Sequence, residues 1–267
     1  MTSTTGDPAA YFSGKAGVVT GASSGIGRAI ATELGRAGMK LWLAGRSADA
    51  LADTARAIVE GGGPQPTCVP IDLSAQGEAA ALVARVGREH EHLFAVINNA
   101  GIMHPEPIMS GRLQNWRAMF DVNVLAPLEA SHAAVHAMRS HGKPGHIVNI
   151  SSLSGRFDAG GVYGASKCAL DMISRSLRLE LEHDDIRVTS IVPGGFATNL
   201  GRSLEPETLQ VLGAAAANKG VDLQGPSSVK AFGDPAKIAA TIRFVLEQPI
   251  ELNLQEIVIR PAISLEL

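Results

Sequence analysis

The strongest constraint on this chain of 267 residues is a rhythm. Short apolar or β-branched runs alternate with longer stretches of helical period from one end to the other. The strand runs are AGVVT (16–20), KLWLAG (40–45), TCVPI (67–71), FAVIN (94–98), HIVNI (146–150), RVTSIV (187–192) and EIVIR (256–260). Helical patterns lie between them, near 25–37, 48–60, 75–89, 112–139, 162–183 and 235–247. Gly38 closes the first and Gly61-Gly62-Gly63-Pro64 the second, as residues that stop helices do. Strands joined through helices run parallel, and the helices cover both faces of their sheet. The expected fold is therefore α/β: a doubly wound, Rossmann-like, mostly parallel seven-stranded sheet in a single domain.

Residues 1–13 read as a flexible polar N-terminal tail and 14–267 as one catalytic domain. One region breaks the rhythm. Between the sixth strand and the last helix, 195–233 is rich in glycine and proline, with a short helical pattern near 206–217. A connection of that length at the carboxyl end of a strand is placed to act as a substrate lid.

The balance of 23 basic against 26 acidic residues leaves no electrostatic footprint for nucleic acid or an anionic membrane. No apolar stretch approaches the ~20 residues of a membrane span, and the N-terminus lacks the pattern of a signal peptide. Cys68 and Cys168 stand far apart in apolar surroundings and read as reduced core residues. A cytoplasmic protein is expected, with no metal site.

The first strand runs into the first helix through VVTGASSGIGRAI. Gly21, Gly25 and Gly27 allow a sharp turn and a close approach of backbone to a pyrophosphate at the positive end of the helix. The spacing is GxxxGxG, not the more familiar GxGxxG, but its place between strand and helix favours nucleotide binding. At the end of the second strand an NAD site calls for a carboxylate and an NADP site for a cation. Here Gly45 stands where the acid would be and Arg46 follows, which favours NADP(H), with NAD(H) as the alternative.

In YGASK, Tyr163 and Lys167 are one helical turn apart on one face. An ammonium beside a phenol favours the phenolate.

TGASSGIG (20–27), NNAG (98–101), Ser151-Ser152 and YGASK, in this order, resemble the motifs of the short-chain dehydrogenase/reductases over roughly 14–261. The resemblance implies that Tyr163 is the general acid/base, that Lys167 supports it and holds the nicotinamide ribose, and that Ser152 donates a hydrogen bond to the substrate oxygen. It also implies that Asn123 supports a water in a proton relay, near a helix distorted by Pro127. By the same token the cofactor would be held by Gly21, Ser23, Ser24, Gly25, Ile26, Gly27, Arg46, Asp72, Leu73, Asn99, Ala100, Gly101, Tyr163 and Lys167, and by Pro193, Gly194, Phe196 and Thr198 of PGGFAT. The segment between Ser152 and Tyr163 is shorter than the family's usual one, which should reshape the pocket wall.

The implied function is NADP(H)-dependent, reversible reduction of a ketone or aldehyde. An NAD-dependent secondary alcohol dehydrogenase and a non-catalytic nucleotide-binding regulator are the alternatives. Met103, Leu153, Phe157, Phe196 and Leu200 would make a largely apolar substrate pocket, whereas His104 reads as a surface histidine. Helices near 112–139 and 162–183 would pair subunits into a homodimer or homotetramer.

Overall fold

The rhythm of the sequence becomes a parallel sheet. The computed structural model describes residues 11–196 and 213–263 except 215, 224, 226, 227, 229 and 230. Its strands are β1 (Ala16–Thr20), β2 (Lys40–Gly45), β3 (Thr67–Pro70), β4 (Leu93–Asn98), β5 (Gly145–Ile150), β6 (Ile186–Pro193) and β7 (Glu256–Ile259). They lie in the order β3-β2-β1-β4-β5-β6-β7, every neighbouring pair parallel. The winding reverses between β1 and β4, which leaves a crevice beyond their carboxyl ends.

Strand alternation sends successive side chains to opposite faces. On β2, Leu41 and Leu43 enter one core and Trp42 and Ala44 the other. The first core is completed by α1 (Gly25–Arg36), α2 (Ala48–Glu60) and α7 (Pro235–Glu247), through Ile30, Leu34, Leu51, Ile58, Ile238 and Ile242. The second uses α3 (Glu78–Glu89) and α5 (Ala126–His141), through Leu82, Val86, Ala130, Ala134 and Met138. Each fully buried Leu or Ile contributes about 1.5–3 kcal/mol, against about 0–1 kcal/mol for an exposed pair such as Arg85–Glu89, so the two cores carry the fold. The expected seven-stranded doubly wound domain is the one observed.

Three expectations change. Tyr11 and Phe12 are not tail: Phe12 is fully buried against Phe94, and the Tyr11 hydroxyl donates to the Leu246 carbonyl at 3.0 Å. Two aromatic rings packed beside Phe94 of β4 outweigh the polarity of the residues around them. The helix expected over 112–139 is α4 (Leu113–Phe120), a π turn (Asp121–Leu125) and α5. Pro127 cannot supply the bond to the Asn123 carbonyl four residues back, and Ala126 instead donates to Asp121, five back. Cys168 is exposed rather than core, because it follows Lys167 onto the outer side of α6 (Gly161–Glu180), where its thiol meets the Gly155 carbonyl at 2.6 Å. Among the described residues no helix is long and apolar enough to cross a membrane.

His146 gives the fold a predictable acid limit. It lies on central β5, buried beside the Phe94 ring, with Nδ1 unpartnered. Burial, then the charges of Arg187 and Lys15, push its pKa down to about 4. The unfolded chain takes up that proton near the ordinary 6.5, so stability is lost as pH falls from 6.5 towards 4, to a total of roughly 3 kcal/mol. Urea midpoints between pH 7 and pH 4.5 should therefore fall less steeply for His146→Leu than for the wild type; equal slopes would mean that His146 charges without cost.

Candidate active site

The crevice beyond β1 and β4 is a cleft of about 1630 Å³, and its floor is glycine. Gly21 adopts φ +67°, and a Cβ there would stand 2.8 Å from the Asn99 side-chain nitrogen Nδ2. A Cβ on Gly27 would overlap the Gly21 carbonyl oxygen. The glycines thus bring loop, helix and NNAG segment into contact that no side chain would permit. Ser24, the N-cap of α1, makes no side-chain cap bond. The first amides of α1 therefore face the cleft at the positive end of the helix, which fits an anionic pyrophosphate. Arg28 stiffens the loop from behind, donating to the Ser23 carbonyl at 2.8 Å and to Thr54 Oγ1 at 3.2 Å.

Thr20 ties this loop to the next one. Its Oγ1 accepts from the Asn99 and Ala100 amides, both at 3.0 Å, while Asn99 Nδ2 donates to the Thr20 carbonyl at 2.9 Å. Deeper in the sheet, Asn98 Nδ2 donates to Asn149 Oδ1 at 2.8 Å, and Asn149 Nδ2 to Ser174 Oγ at 2.8 Å. This chain of amides runs from β4 through β5 to α6 and fixes the helix that carries Tyr163.

At the outer end of the cleft, Arg46 is exposed and Gly45 buried, with Ser23 beside the space over Gly45. The Asp72 carboxylate is bound by the Ser74 amide at 3.0 Å and hydroxyl at 2.8 Å. These bonds, and then the charge of Arg46, hold its pKa below the usual carboxylate value.

At the inner end, Tyr163 and Lys167 are buried on α6 and Ser152 follows β5. Ser152 Oγ accepts from the Ser154 amide at 3.2 Å and lies within hydrogen-bonding reach of the phenol. The short connection from Ser152 to α6 folds as two 3-10 turns, Leu153–Arg156 and Asp158–Gly160. It closes because Gly160 and Gly164 pack on the Ser154 carbonyl, where a Cβ on either would collide.

The expectation for tyrosine acidity changes here. Burial pushes the Tyr163 phenol up, opposed by the Ser152 hydrogen bond. Lys167 does not counter it, because its Nζ donates to the Ile150 carbonyl at 2.9 Å and stands 5.9 Å from the centre of the tyrosine ring. Burial also pushes Lys167 down to about 8, with the charge of Asp171 opposing. The free protein thus holds a protonated phenol.

Gly21, Ser23, Ser24, Gly25, Ile26, Gly27, Arg46, Asp72, Leu73, Asn99, Ala100, Gly101, Ser152, Tyr163, Lys167, Pro193, Gly194 and Phe196 all line this one cleft. Asn123 does not. It is fully buried beneath it, with Nδ2 donating to the Ile102 carbonyl at 2.9 Å and Ser166 Oγ at 3.0 Å, and Oδ1 accepting from the Ile102 amide at 2.9 Å. Its side chain braces the segment after NNAG, and any water it supports would rest on its backbone. Thr198 and Leu200 lie outside the described residues, as does most of the expected lid. The lid's two ends meet in a bridge between Phe196 and Gly233.

Met103, Leu153, Phe157 and Phe196 line the inner cleft, joined by Phe232 and Ile263. His104 lines it too, rather than standing apart at the surface. Sequence reasoning also missed Asp171. One turn beyond Lys167, it is buried, with Oδ1 unpartnered and its pKa raised by burial. The i, i+4, i+8 spacing of Tyr163, Lys167 and Asp171 was the signal that could have found it.

A parallel sheet that reverses beside its first strand, with a glycine cradle at the switch point, defines the Rossmann-type nucleotide-binding class. Within that class, the family profile described as short chain dehydrogenase matches residues 15–209, and the chain belongs to that family. An oxidoreductase of Staphylococcus saprophyticus is 32% identical over 250 residues, spanning 92% of this chain and 97% of that one. A metagenomic short-chain oxidoreductase solved in complex with NADP superposes with a TM-score of 0.76 at 30% identity, covering 94% of this chain and 99% of that one. A short-chain type dehydrogenase/reductase from Mycobacterium ulcerans superposes with a TM-score of 0.79 at 27% identity, covering 94% and 90%.

Proposed function

We propose that this oxidoreductase reduces a ketone or aldehyde to an alcohol, reversibly, with NADP(H) as its cofactor. The observation that carries the reading is the convergence of Tyr163, Ser152 and Lys167 at the inner end of a glycine-floored cleft whose outer end holds Arg46. The cradle of Gly21 and Gly27, which a Cβ would fill, fits a dinucleotide.

Bound NADPH supplies the hydride. Tyr163 gives its proton to the oxygen that gains charge as the carbonyl carbon is reduced, and Ser152 donates a hydrogen bond to that oxygen. Reduction needs a phenol that arrives protonated, and burial keeps it so. Lys167, its Nζ fixed by the Ile150 carbonyl at the inner end of the cleft, would hold the nicotinamide ribose. The apolar lining from Met103, Leu153, Phe157 and Phe196 suits a largely apolar substrate.

The NADP-bound relative supports the cofactor choice, and Arg46 supports it from this chain. Titration with NADPH and NADH, followed by nicotinamide fluorescence, tests it. NADPH should bind more tightly, and Arg46→Ala should weaken NADPH by about tenfold while leaving NADH unchanged. Tighter binding of NADH to the wild type would favour the NAD-dependent alcohol dehydrogenase instead. Nucleotide binding without turnover on any carbonyl or alcohol would leave the non-catalytic regulator.

Pairing of chains into a homodimer or homotetramer is part of the same reading. Leu113 and Phe120 on α4, Leu125 in the π turn, Leu128 on α5, and Met172 and Leu179 on α6 are large apolar side chains left exposed on one protomer. A cytoplasmic location fits the NADPH-driven direction.

A further inference from the structure

Lys167 is 3% exposed, and its Nζ donates to a neutral acceptor, the Ile150 carbonyl, at 2.9 Å. Among the described residues no salt bridge reaches it. A buried ammonium with no counter-charge gives up its proton.

Asp171 stands one turn further along α6 on the same face and is 6% exposed. Its Oδ1 has no hydrogen bond, and the Ser151 hydroxyl, also buried and without a bond of its own, faces the carboxyl. Burial opposes ionisation of this acid, while Arg156 of the first 3-10 turn and Arg175 and Arg178 of α6 favour it. Glu256 of β7 is the like charge on that side, and Arg156 already pairs with it at 2.5 Å. On the other side of Lys167 the titratable neighbour is Tyr163. An anion and a cation are thus sealed one helical turn apart, where water and salt screen their attraction far less than at a surface.

We propose that Asp171 is a positioning residue for Lys167: its carboxylate is the counter-charge that keeps the buried lysine an ammonium. An ammonium has three donors and a free amine two. With one committed to the Ile150 carbonyl, the charged form keeps two for the ribose hydroxyls. That consequence rests on the proposed function, whereas the coupling of the two side chains does not. Both are buried within one protomer, so pairing of subunits over the outer side of α6 leaves them as they are.

The test is a carbon-13 NMR titration of the nucleotide-free protein labelled at lysine Cε and aspartate Cγ. The two resonances are assigned by their loss in Lys167→Met and Asp171→Asn. In the wild type Asp171 should be a carboxylate at pH 7, and Lys167 should titrate near 8. In Asp171→Asn, which keeps the shape and removes the charge, Lys167 should titrate about one pH unit lower. The alkaline fall in kcat/KM for carbonyl reduction should move down with it. A protonated Asp171 at pH 7 in the wild type overturns the proposal before any variant is needed. So does a Lys167 midpoint that Asp171→Asn leaves unmoved. A midpoint that moves while the kinetic profile stays put upholds the coupling and removes the lysine's charge from the proposed reaction.

Discussion

Replacing Tyr163 by phenylalanine is expected to lower kcat for carbonyl reduction by roughly 10²–10⁴-fold, the range that a positioned proton donor contributes. The substitution removes one oxygen from a side chain that is buried on α6, and leaves the ring to fill the same space. NADPH affinity should stay within about twofold, because the glycine floor and Arg46 are untouched. That split separates a role in chemistry from one in folding. In the wild type the profile of kcat/KM against pH reports groups of the free protein. Reduction should weaken as pH rises past about 8, where Lys167 loses its charge, and fall further where Tyr163, raised above 10.0, loses its proton. Turnover that survives Tyr163→Phe would remove the tyrosine from the mechanism and leave the cleft in need of another acid.

Much of this was legible in the chain because it is encoded locally. Runs such as HIVNI alternate with helical stretches whose period needs no partner to be recognised, and the strands began and ended within a residue or two of those runs. The glycine loop and YGASK were legible for the same reason: their spacing is short, and a turn or one helical repeat converts it directly into geometry. What escaped depends on groups distant in sequence. Asn98, Asn149 and Ser174 look like isolated polar residues until β4, β5 and α6 bring them together. Proximity of Tyr163 to Lys167 was readable, but the direction of the phenol's acidity was not, since it turns on whether Nζ faces the ring or the Ile150 carbonyl. Pro127 hinted at a distorted helix, yet only the widened turn shows that the Asn123 side chain is consumed in bracing Ile102. Phe12 carries no periodic signal at all; its burial is decided by the Phe94 ring waiting on β4.

Gly27→Ala should cost this protein its nucleotide while leaving it folded. Alanine is the better helix former by about 1 kcal/mol, so propensity alone would stabilise α1. Sterics oppose this, because the new methyl would overlap the Gly21 carbonyl oxygen and the Asn99 side-chain amide. Neither obstacle is the loose end of a flexible side chain. One is backbone of the loop itself, and the other is pinned by its 2.9 Å bond to the Thr20 carbonyl. Overpacking of this kind costs about 1–3 kcal/mol, so the balance is a loss of up to about 2 kcal/mol, or a few degrees in thermal midpoint. Relief comes by moving the loop off the end of α1, and that movement spoils the cradle for a pyrophosphate. NADPH and NADH affinity should both fall by more than about tenfold, unlike the selective loss expected for Arg46→Ala. Near-normal binding of both nucleotides to Gly27→Ala would mean that the loop yields without cost, and that the close approach at Gly27 serves helix packing instead of the anion.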